Sequence, residues 1–376
     1  MTSQAVKRAL FVIPADVANG AERVTAHYAE ALARVGGWEV TLRSVCSQRE
    51  PSFASTLSSS GVRVEYGIYP RERIALPAFL LGLRKQRYDL VFSSILHING
   101  LLSLAKKIGW LRAGQLVTRE SNIFVDRYVG MKWYIKKIFL DMYGAQSLII
   151  VQTEEMAAKL RPIVSRLLRE NVVVIPNPID AFDVRLKSSM PLDEWLRGKL
   201  TGRPYILWMG RFIDWKRPGL AVDVVEAVRR KTGLDIGLIM LGGGPLLNST
   251  REYVKSKGLD EVVLTPGRRE DPYAIASLCR VGISTSLGLE GFPNVILEMM
   301  AAGVPSIVTT PGADGLNMLP GVQVTDGFEL NEIVENIVGI LENDSNYADL
   351  YEGALAARHP DVLVKRVLNL ICGIEP

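Results

Sequence analysis

The sequence predicts an α/β protein of two doubly wound, Rossmann-like domains, each a parallel sheet covered by helices. The first observation is length, since 376 residues, 48% of them hydrophobic, suit two domains that each bury a core. The second is an alternation of short apolar runs with helix-spaced segments, which indicates parallel strands joined by crossover helices. The third is that this alternation restarts in the second half of the chain.

In the first half, helical spacing predicts helices at 21–35 and 76–87. Pro176 and Pro178 then stop regular structure, because proline lacks the N–H donor. We therefore predict an N-terminal domain over 1–178 and a C-terminal domain over 179–360, with segment 361–376 packing back on the first. Runs rich in Val, Ile and Leu predict the first-half strands at 9–13, 39–45, 62–66, 89–92, 115–118, 148–152 and 172–175.

The second half repeats the pattern. Predicted strands cover 205–209, 236–241, 262–264, 281–284 and 304–308. Predicted helices cover 218–230, a segment that ends at 257, 294–302 and 362–371. Because open α/β sheets bind ligands beyond the carboxyl ends of their strands, we expect the functional residues in the loops that follow the strands.

Charge is divided unevenly along the chain. Residues 1–178 hold 24 Lys and Arg against 14 Asp and Glu, a net charge of +10, whereas the rest carries −6. A positive half either attracts anionic partners or is a solvated basic face. The sequence has no aromatic-interleaved basic run of the kind that binds single-stranded nucleic acid, so we expect no nucleic-acid partner.

The three cysteines, Cys46, Cys279 and Cys372, are far apart and odd in number, and we interpret them as buried apolar residues in a reducing compartment. No apolar run reaches the roughly 18 residues that span a bilayer, and no cleavable leader is visible. A cytoplasmic protein is expected.

The most informative segment, 289–305, is a loop that feeds a helix. Pro293 suits the first turn and Gly303 the C-terminal stop. The N–H groups near residues 292–295 and the helix dipole then suit a phosphate. Glu298 lies on the same face as Asn294, four residues earlier, where its carboxylate suits vicinal hydroxyls. The alternative is an ordinary amphipathic helix with a charged face.

Two further loops carry chemistry. After the strand 205–209, Gly210 permits close backbone approach, and Arg211 and Lys216 together suit a diphosphate leaving group; the alternative is a solvated loop. Glycines 242–244 follow another strand and suit a nucleotide. Residues 265–269 could present backbone to a base.

These pieces, in this order, resemble glycosyltransferase family 4, the retaining enzymes with the GT-B fold, in which two Rossmann-like domains face a central cleft. The resemblance covers nearly the whole chain and is strongest over 205–308, and its most specific mark is a Glu-x7-Glu element. It implies that Glu290 contacts donor-sugar hydroxyls, that Glu298 holds the ribose, and that Arg211 and Lys216 bind the diphosphate. The expected donor-site residues are Gly20, Gly210, Arg211, Lys216, Gly243, Gly244, Arg268, Glu290, Gly291, Phe292, Asn294, Val295 and Glu298.

The first half carries the acceptor side of the resemblance. Residues 18–24 resemble the Gly-Gly-Ala-Glu-Arg loop of the family, with Asn19 in place of a first glycine and tolerant of positive φ. His97 follows the strand 89–92, as a histidine does in the family, and we expect it to be catalytic with Glu290, Arg211 and Lys216. The expected acceptor-binding residues are Asn19, Asn99, Arg119, Glu120 and Asn122.

Segment 127–143 mixes lysines with aromatic and aliphatic residues. It could lie on an anionic membrane surface at the inner face of the membrane. The alternative, which the sequence favours, is a core-facing helix with a solvated basic edge.

No Asp-x-Asp pair occurs in the sequence, so we expect metal-independent transfer. The resemblance implies retention at the anomeric carbon, and no cofactor is expected besides the nucleotide-sugar donor. The expected acceptor is a glycan or lipid-linked glycan, in cell-surface polysaccharide synthesis. One alternative is a nucleotide-sugar epimerase on the same scaffold, and another is a non-catalytic nucleotide-sugar-binding protein.

Overall fold

A computed structural model describes residues 6–17, 19–48, 52–122, 130–192, 194–200, 202–269, 272–288, 291–312 and 314–372. The chain divides into two compact units. Unit 1 comprises residues 1–178 together with 358–376, and unit 2 comprises residues 179–357.

The first part of unit 1 consists of β1 (Lys7–Ile13), α1 (Gly20–Val35), β2 (Trp38–Ser44), β3 (Val62–Tyr66), α2 (Glu72–Leu83), β4 (Arg87–Ser93), α3 (Leu96–Lys107), β5 (Arg112–Arg119), α4 (Gly130–Asp141), β6 (Leu148–Val151), α5 (Glu154–Leu160) and β7 (Val172–Val174). Unit 2 follows with α6 (Ala181–Ser188), α7 (Glu194–Lys199), β8 (Tyr205–Met209), α8 (Pro218–Thr232), β9 (Gly237–Leu241), α9 (Leu247–Ser256), β10 (Val263–Gly267), α10 (Pro272–Ala276), β11 (Val281–Ser284), α11 (Asn294–Ala301), β12 (Ile307–Thr309), β13 (Val322–Val324), α12 (Leu330–Glu342) and α13 (Tyr351–Ala356). The chain then returns to unit 1 with α14 (Pro360–Cys372).

Each unit is built on a parallel sheet. The strand order is β3-β2-β1-β4-β5-β6-β7 in unit 1 and β10-β9-β8-β11-β12-β13 in unit 2. In β1, alternate side chains enter different cores, with Phe11 on one face of the sheet and Leu10 and Val12 on the other. This period of two is what a strand covered on both faces requires. The doubly wound α/β class predicted from the sequence is confirmed in both units.

The last helix, α14, packs on α1. Arg34 forms an ion pair of 2.7 Å with Asp361, and Leu363 and Val367 join the same apolar core as the helices and strands of unit 1. Cys372, in the last turn of α14, is exposed, so the prediction of a buried apolar role is wrong for this cysteine. Cys46 and Cys279 are buried as predicted.

Two elements differ from the sequence prediction. Helix α2 covers Glu72–Leu83 and not 76–87. Pro77 lies at an exposed position inside it, whereas Ala75, Phe79 and Leu83 are its buried positions. Strand β12 begins at Ile307 and not at Val304, because the Val304 N–H bonds back to the Met299 carbonyl at 3.0 Å. The other predicted strands and helices are present, with ends displaced by at most a few residues.

The glycine-rich loop after β9 packs backbone to backbone on the loop after β8. Gly242 has a φ of 138°, and a Cβ placed there would be 1.8 Å from the Gly210 carbonyl oxygen. Only glycine adopts this conformation without strain and leaves room for the approach. At the neighbouring Gly243, a Cβ would meet nothing within 4 Å.

We expect Gly242→Ala to destabilise unit 2 by about 3 kcal/mol or more, because backbone strain alone costs of order 1–3 kcal/mol and the overlap adds to it. The matched control is Gly243→Ala, which should change the stability by less than about 1 kcal/mol. Chemical denaturation of the full chain measures both. Equal effects of the two substitutions would contradict the close approach at Gly242.

Candidate functional site

Strand order reverses in unit 2 between β8 and β11, and two predicted donor segments follow these strands. β11 pairs in parallel with β8, with Gly282 opposite Leu207. Such a reversal opens a crevice beyond the carboxyl ends of the strands. The N–H of Leu287 donates to the carbonyl of Trp215 at 2.9 Å. The loops after β8 and β11 are therefore joined at the edge where the fold predicts a ligand.

Trp215 contacts both predicted diphosphate-binding cations. Its ring centroid lies 5.8 Å from the Arg211 guanidinium carbon and 5.1 Å from the Lys216 ammonium nitrogen. Arg211 is exposed, whereas Lys216 is only 9% exposed. An indole face attracts cations, so this ring brings two positive groups together in a geometry that suits a diphosphate. Trp215 was not predicted as a site residue, although an aromatic residue beside two cations in the sequence was the available signal.

Glycines of this region are explained in part by packing. A Cβ at Gly244 would lie 2.5 Å from the Phe212 carbonyl oxygen. At Gly210 it would lie 3.3 Å from the Trp208 ring. Packing therefore accounts for Gly244 without a ligand, and Gly243 is the open backbone position of this loop.

Strand β10 extends to Gly267, so Thr265 and Gly267 belong to the strand and not to the loop that the sequence predicted there. The Thr265 carbonyl accepts a hydrogen bond from Arg251 at 2.8 Å, and the Gly267 carbonyl accepts one from the Gly242 N–H at 3.0 Å. These two acceptors are engaged within unit 2, and presentation of the 265–269 backbone to a base stays a prediction. Arg268, the other predicted residue here, is exposed.

Helix α11 begins as the sequence indicated, with one change. Pro293 is the N-cap residue and not the first helical residue, and it supplies no side-chain acceptor to the first turn. Asn294, Val295 and Glu298 are half-buried on the first turns of the helix. Gly303 ends the helix with a φ of 82°, as predicted. Of the remaining predicted residues, Gly291 and Phe292 are buried, and Glu290 lies outside the described residues.

On unit 1, the loop after β1 leads directly into α1. Gly20 is the first helical residue, and both it and Asn19 are exposed. Asn19 has a φ of −86° and a ψ of 170°, which is ordinary extended backbone. The tolerance of asparagine for positive φ is not used here, because an N-cap residue is extended and needs no left-handed turn.

His97 lies in the first turn of α3, where its Nε2 hydrogen-bonds to a Glu72 carboxylate oxygen. Its ring meets the edge of Phe139, with 5.8 Å between centroids. The bond from His97 lowers the pKa of the Glu72 carboxyl, which keeps Glu72 ionised. This partner was not predictable from the local sequence, because Glu72 begins a different helix 25 residues away.

Two predicted acceptor-binding residues lie in a buried polar network. Asn99 is completely buried, and its amide donates to Glu120 at 2.8 Å. The Tyr143 hydroxyl donates to the same Glu120 oxygen. Burial raises the pKa of the Glu120 carboxyl, and these two donors oppose that shift. The polar atoms of Asn99 and Glu120 are engaged inside unit 1, and contact of either residue with an acceptor stays a prediction.

Arg119 is also buried, at 2% exposed, and it donates to the side chain of Asn177. Asn177 in turn donates to Gln152 at 2.8 Å. Burial lowers the pKa of Arg119 to about 10. The other two guanidinium nitrogens of Arg119, Nε and Nη1, are buried without a hydrogen-bond partner among the described residues, so an acceptor contact through Arg119 stays a prediction. Asn122, the last predicted acceptor residue, is half-buried and contacts the Ser121 hydroxyl at 3.1 Å.

Two searches of the described residues gave negative results. They contain no group of three or more His, Cys, Asp or Glu side chains arranged to hold a metal ion. Among the same residues, no helix has both the length and the apolar character needed to cross a membrane.

Two family models match the chain. Residues 18–181 match the model described as Glycosyltransferase Family 4, and residues 203–343 match the model described as Glycosyl transferases group 1. Together they cover the greater part of both units.

Individual relatives are more distant. An uncharacterized glycosyltransferase of Methanocaldococcus jannaschii is 25% identical over 44% of this chain and 40% of its own length. A GDP-mannose-dependent alpha-(1-6)-phosphatidylinositol monomannoside mannosyltransferase of Mycobacterium tuberculosis is 26% identical over 39% of this chain and 40% of its own. The matches thus span about two fifths of these curated relatives.

Among solved structures, HepE of Anabaena in complex with UDP and glucose superimposes with a TM-score of 0.78 at 16% identity, covering 98% of this chain and 100% of that one. This likeness concerns the fold. With both family models matched and both parallel sheets in place, the chain belongs to glycosyltransferase family 4 and has the GT-B fold.

Proposed function

We propose that the protein is a retaining, metal-independent glycosyltransferase that moves a hexose or N-acetylhexosamine from a nucleoside-diphosphate sugar to a glycan or lipid-linked glycan. The observation that carries this proposal is the Trp215 ring, within 6 Å of both Arg211 and Lys216, in a loop bonded to the loop after β11. Two cations held together where strand order reverses suit a diphosphate better than a single phosphate.

The proposed chemistry is the same-face transfer that the resemblance to the family implies. The bond between the anomeric carbon and the diphosphate oxygen breaks, and a bond from the acceptor hydroxyl oxygen to the same carbon forms on the same face. The hydroxyl proton passes to the departing phosphate oxygen, so no protein nucleophile is required. Arg211 and Lys216 stabilise the negative charge that develops on the leaving group, which is where preorganised cations lower a barrier most.

Relatives support the substrate classes. The mycobacterial relative is named for GDP-mannose and a phosphatidylinositol monomannoside, and the HepE structures hold UDP or UDP-glucose. We therefore propose a nucleoside-diphosphate hexose as donor, with the base to be determined by assay.

We also propose that unit 1 docks on an anionic membrane through helix α4. Met131, Tyr134, Ile135 and Ile138 form one stripe, and each is between 49% and 74% exposed. Spacings of three, four and seven residues place them on one helix face. Lys132 is exposed beside them. This arrangement opposes the core-facing alternative, because the apolar side chains face solvent and the helix carries basic residues.

We expect Lys216→Met to lower kcat/KM for donor by about 100-fold, the size of effect seen when one preorganised charge-stabilising donor is lost. Methionine keeps the apolar stem of this buried residue and removes only the ammonium. The control is Lys231→Ala, which breaks a surface ion pair with Glu335 at the far end of α8. A panel of UDP- and GDP-sugars with acceptor supplies the assay. Full activity of Lys216→Met would contradict the assigned role.

Dependence on acceptor distinguishes the three function classes. We expect donor consumption only when a glycan or lipid-linked acceptor is present. Consumption of donor alone with formation of a new nucleotide sugar would instead indicate an epimerase. Saturable binding of donor with no turnover under any acceptor would indicate a binding protein.

The stereochemistry is tested separately. We expect the new linkage to keep the anomeric configuration of the donor, because the acceptor enters from the face that the diphosphate leaves. Proton NMR of the isolated product, through the coupling constant of the anomeric proton, reads this directly. An inverted linkage would refute same-face transfer but would not contradict the proposed donor site.

We expect the triple variant Met131→Ser, Lys132→Glu, Ile138→Ser to bind anionic vesicles of phosphatidylglycerol and phosphatidylcholine at least about tenfold more weakly, since both apolar burial and charge attraction are removed. Leu167→Ser is the control, because Leu167 is 90% exposed and lies outside α4. Vesicle co-sedimentation measures both. Unchanged binding of the triple variant would overturn the proposed membrane face.

A further inference from the structure

We propose that Thr285 is a positioning residue for donor binding, because its hydroxyl holds the main chain of Lys216 in the turn that directs the ammonium. This inference rests on the proposed function of Lys216. Thr285 follows β11 directly and is 1% exposed.

The Thr285 hydroxyl is engaged as acceptor and as donor. The indole N–H of Trp208 donates to it at 2.9 Å. The hydroxyl proton points to the carbonyl of Lys216 at 2.8 Å, with the carbonyl of Arg217 at 3.1 Å. Because Trp208 is 2% exposed, its indole N–H is shielded from bulk water that could replace the hydroxyl as acceptor. The three groups form a buried relay from strand β8 through Thr285 to the turn.

The turn itself is unusual backbone. Asp214–Lys216 is one turn of 3₁₀ helix, and Arg217 then takes a φ of 49°. A non-glycine residue in the left-handed region is strained and persists only where its surroundings fix it. The carbonyl of Trp215 accepts from the Leu287 N–H at 2.9 Å. Two successive carbonyls of this turn, those of residues 215 and 216, are thus held by one short segment, 285–287.

That arrangement determines where the cations point. Lys216 is buried at 9% exposed, so its side chain has little freedom once its backbone is fixed. Trp215 carries the ring that both cations approach, and its backbone is tied by the same segment. Loss of the Thr285 hydroxyl releases the carbonyl of Lys216 and leaves the indole N–H without its acceptor. We expect the diphosphate to bind less tightly and the nucleoside to bind as before, because Arg211 and Lys216 are the groups assigned to the diphosphate.

The test compares Thr285→Val, which removes the hydroxyl at nearly constant shape, with Thr285→Ser, which restores it. Calorimetry measures the affinities of UDP, GDP, uridine and guanosine, and the ratio of nucleotide to nucleoside affinity reports the diphosphate contribution. We expect this ratio to fall about tenfold in the valine variant, equivalent to about 1.4 kcal/mol, and to recover in the serine variant. In the valine variant, KM for the donor should rise by a larger factor than kcat falls.

Thr232→Val is the matched control, since its hydroxyl bonds to the Val228 carbonyl in the last turn of α8, at the opposite end from the site. Equal losses for nucleoside and nucleotide would show a merely structural role and overturn the inference. So would an unchanged ratio in Thr285→Val. If Thr285→Val impairs folding, Thr285→Ala takes its place and should lower the ratio of nucleotide to nucleoside affinity in the same way. A wild-type protein that gains nothing from the diphosphate would instead refute the proposed function.

Discussion

The parallel pairing of β8 with β11 is the constraint on which the donor side depends. These strands are distant in sequence, and their pairing brings the loops that follow them to one edge of the sheet. Main-chain and side-chain hydrogen bonds then join those loops at Leu287 and Thr285. The positive charges of the site are therefore organised by a hydrogen-bonded framework that exists before any substrate arrives, which is how a protein avoids paying for reorganisation during a reaction.

Unit 1 uses its polar residues differently. Asn99 and Glu120 are buried and hydrogen-bond to each other and to neighbouring groups of unit 1, and the buried Arg119 bonds to Asn177 through one guanidinium nitrogen. A buried charge is tolerated only with such partners. These buried residues lie at the carboxyl end of the first sheet. Among the predicted residues of unit 1 that the structure describes, solvent contact is kept by the exposed Asn19 and Gly20 and by the half-buried His97 and Asn122.

Local pattern predicted much of the fold and less of the site. Strands 205–209 and 281–284 have the predicted ends, because a strand that is buried on both faces of its sheet is apolar at nearly every position and so gives a continuous apolar run. Burial was not predictable for Asn99, since a polar residue beside a strand end looks the same whether it faces a ligand or a neighbouring helix. The Thr285 relay and the Glu72 partner of His97 required the tertiary structure, because each joins segments that lie far apart in sequence.

The position of α14 has a consequence for biosynthesis. Residues 358–372 complete the core of unit 1, although residues 179–357 intervene in the chain. A ribosome therefore releases every segment of unit 2 before it supplies Leu363 and Val367 to the first sheet. Domains fold as units during synthesis, so the second domain to be translated is the first that can be finished. Until then, the surface of α1 that α14 will cover stays exposed to the cell.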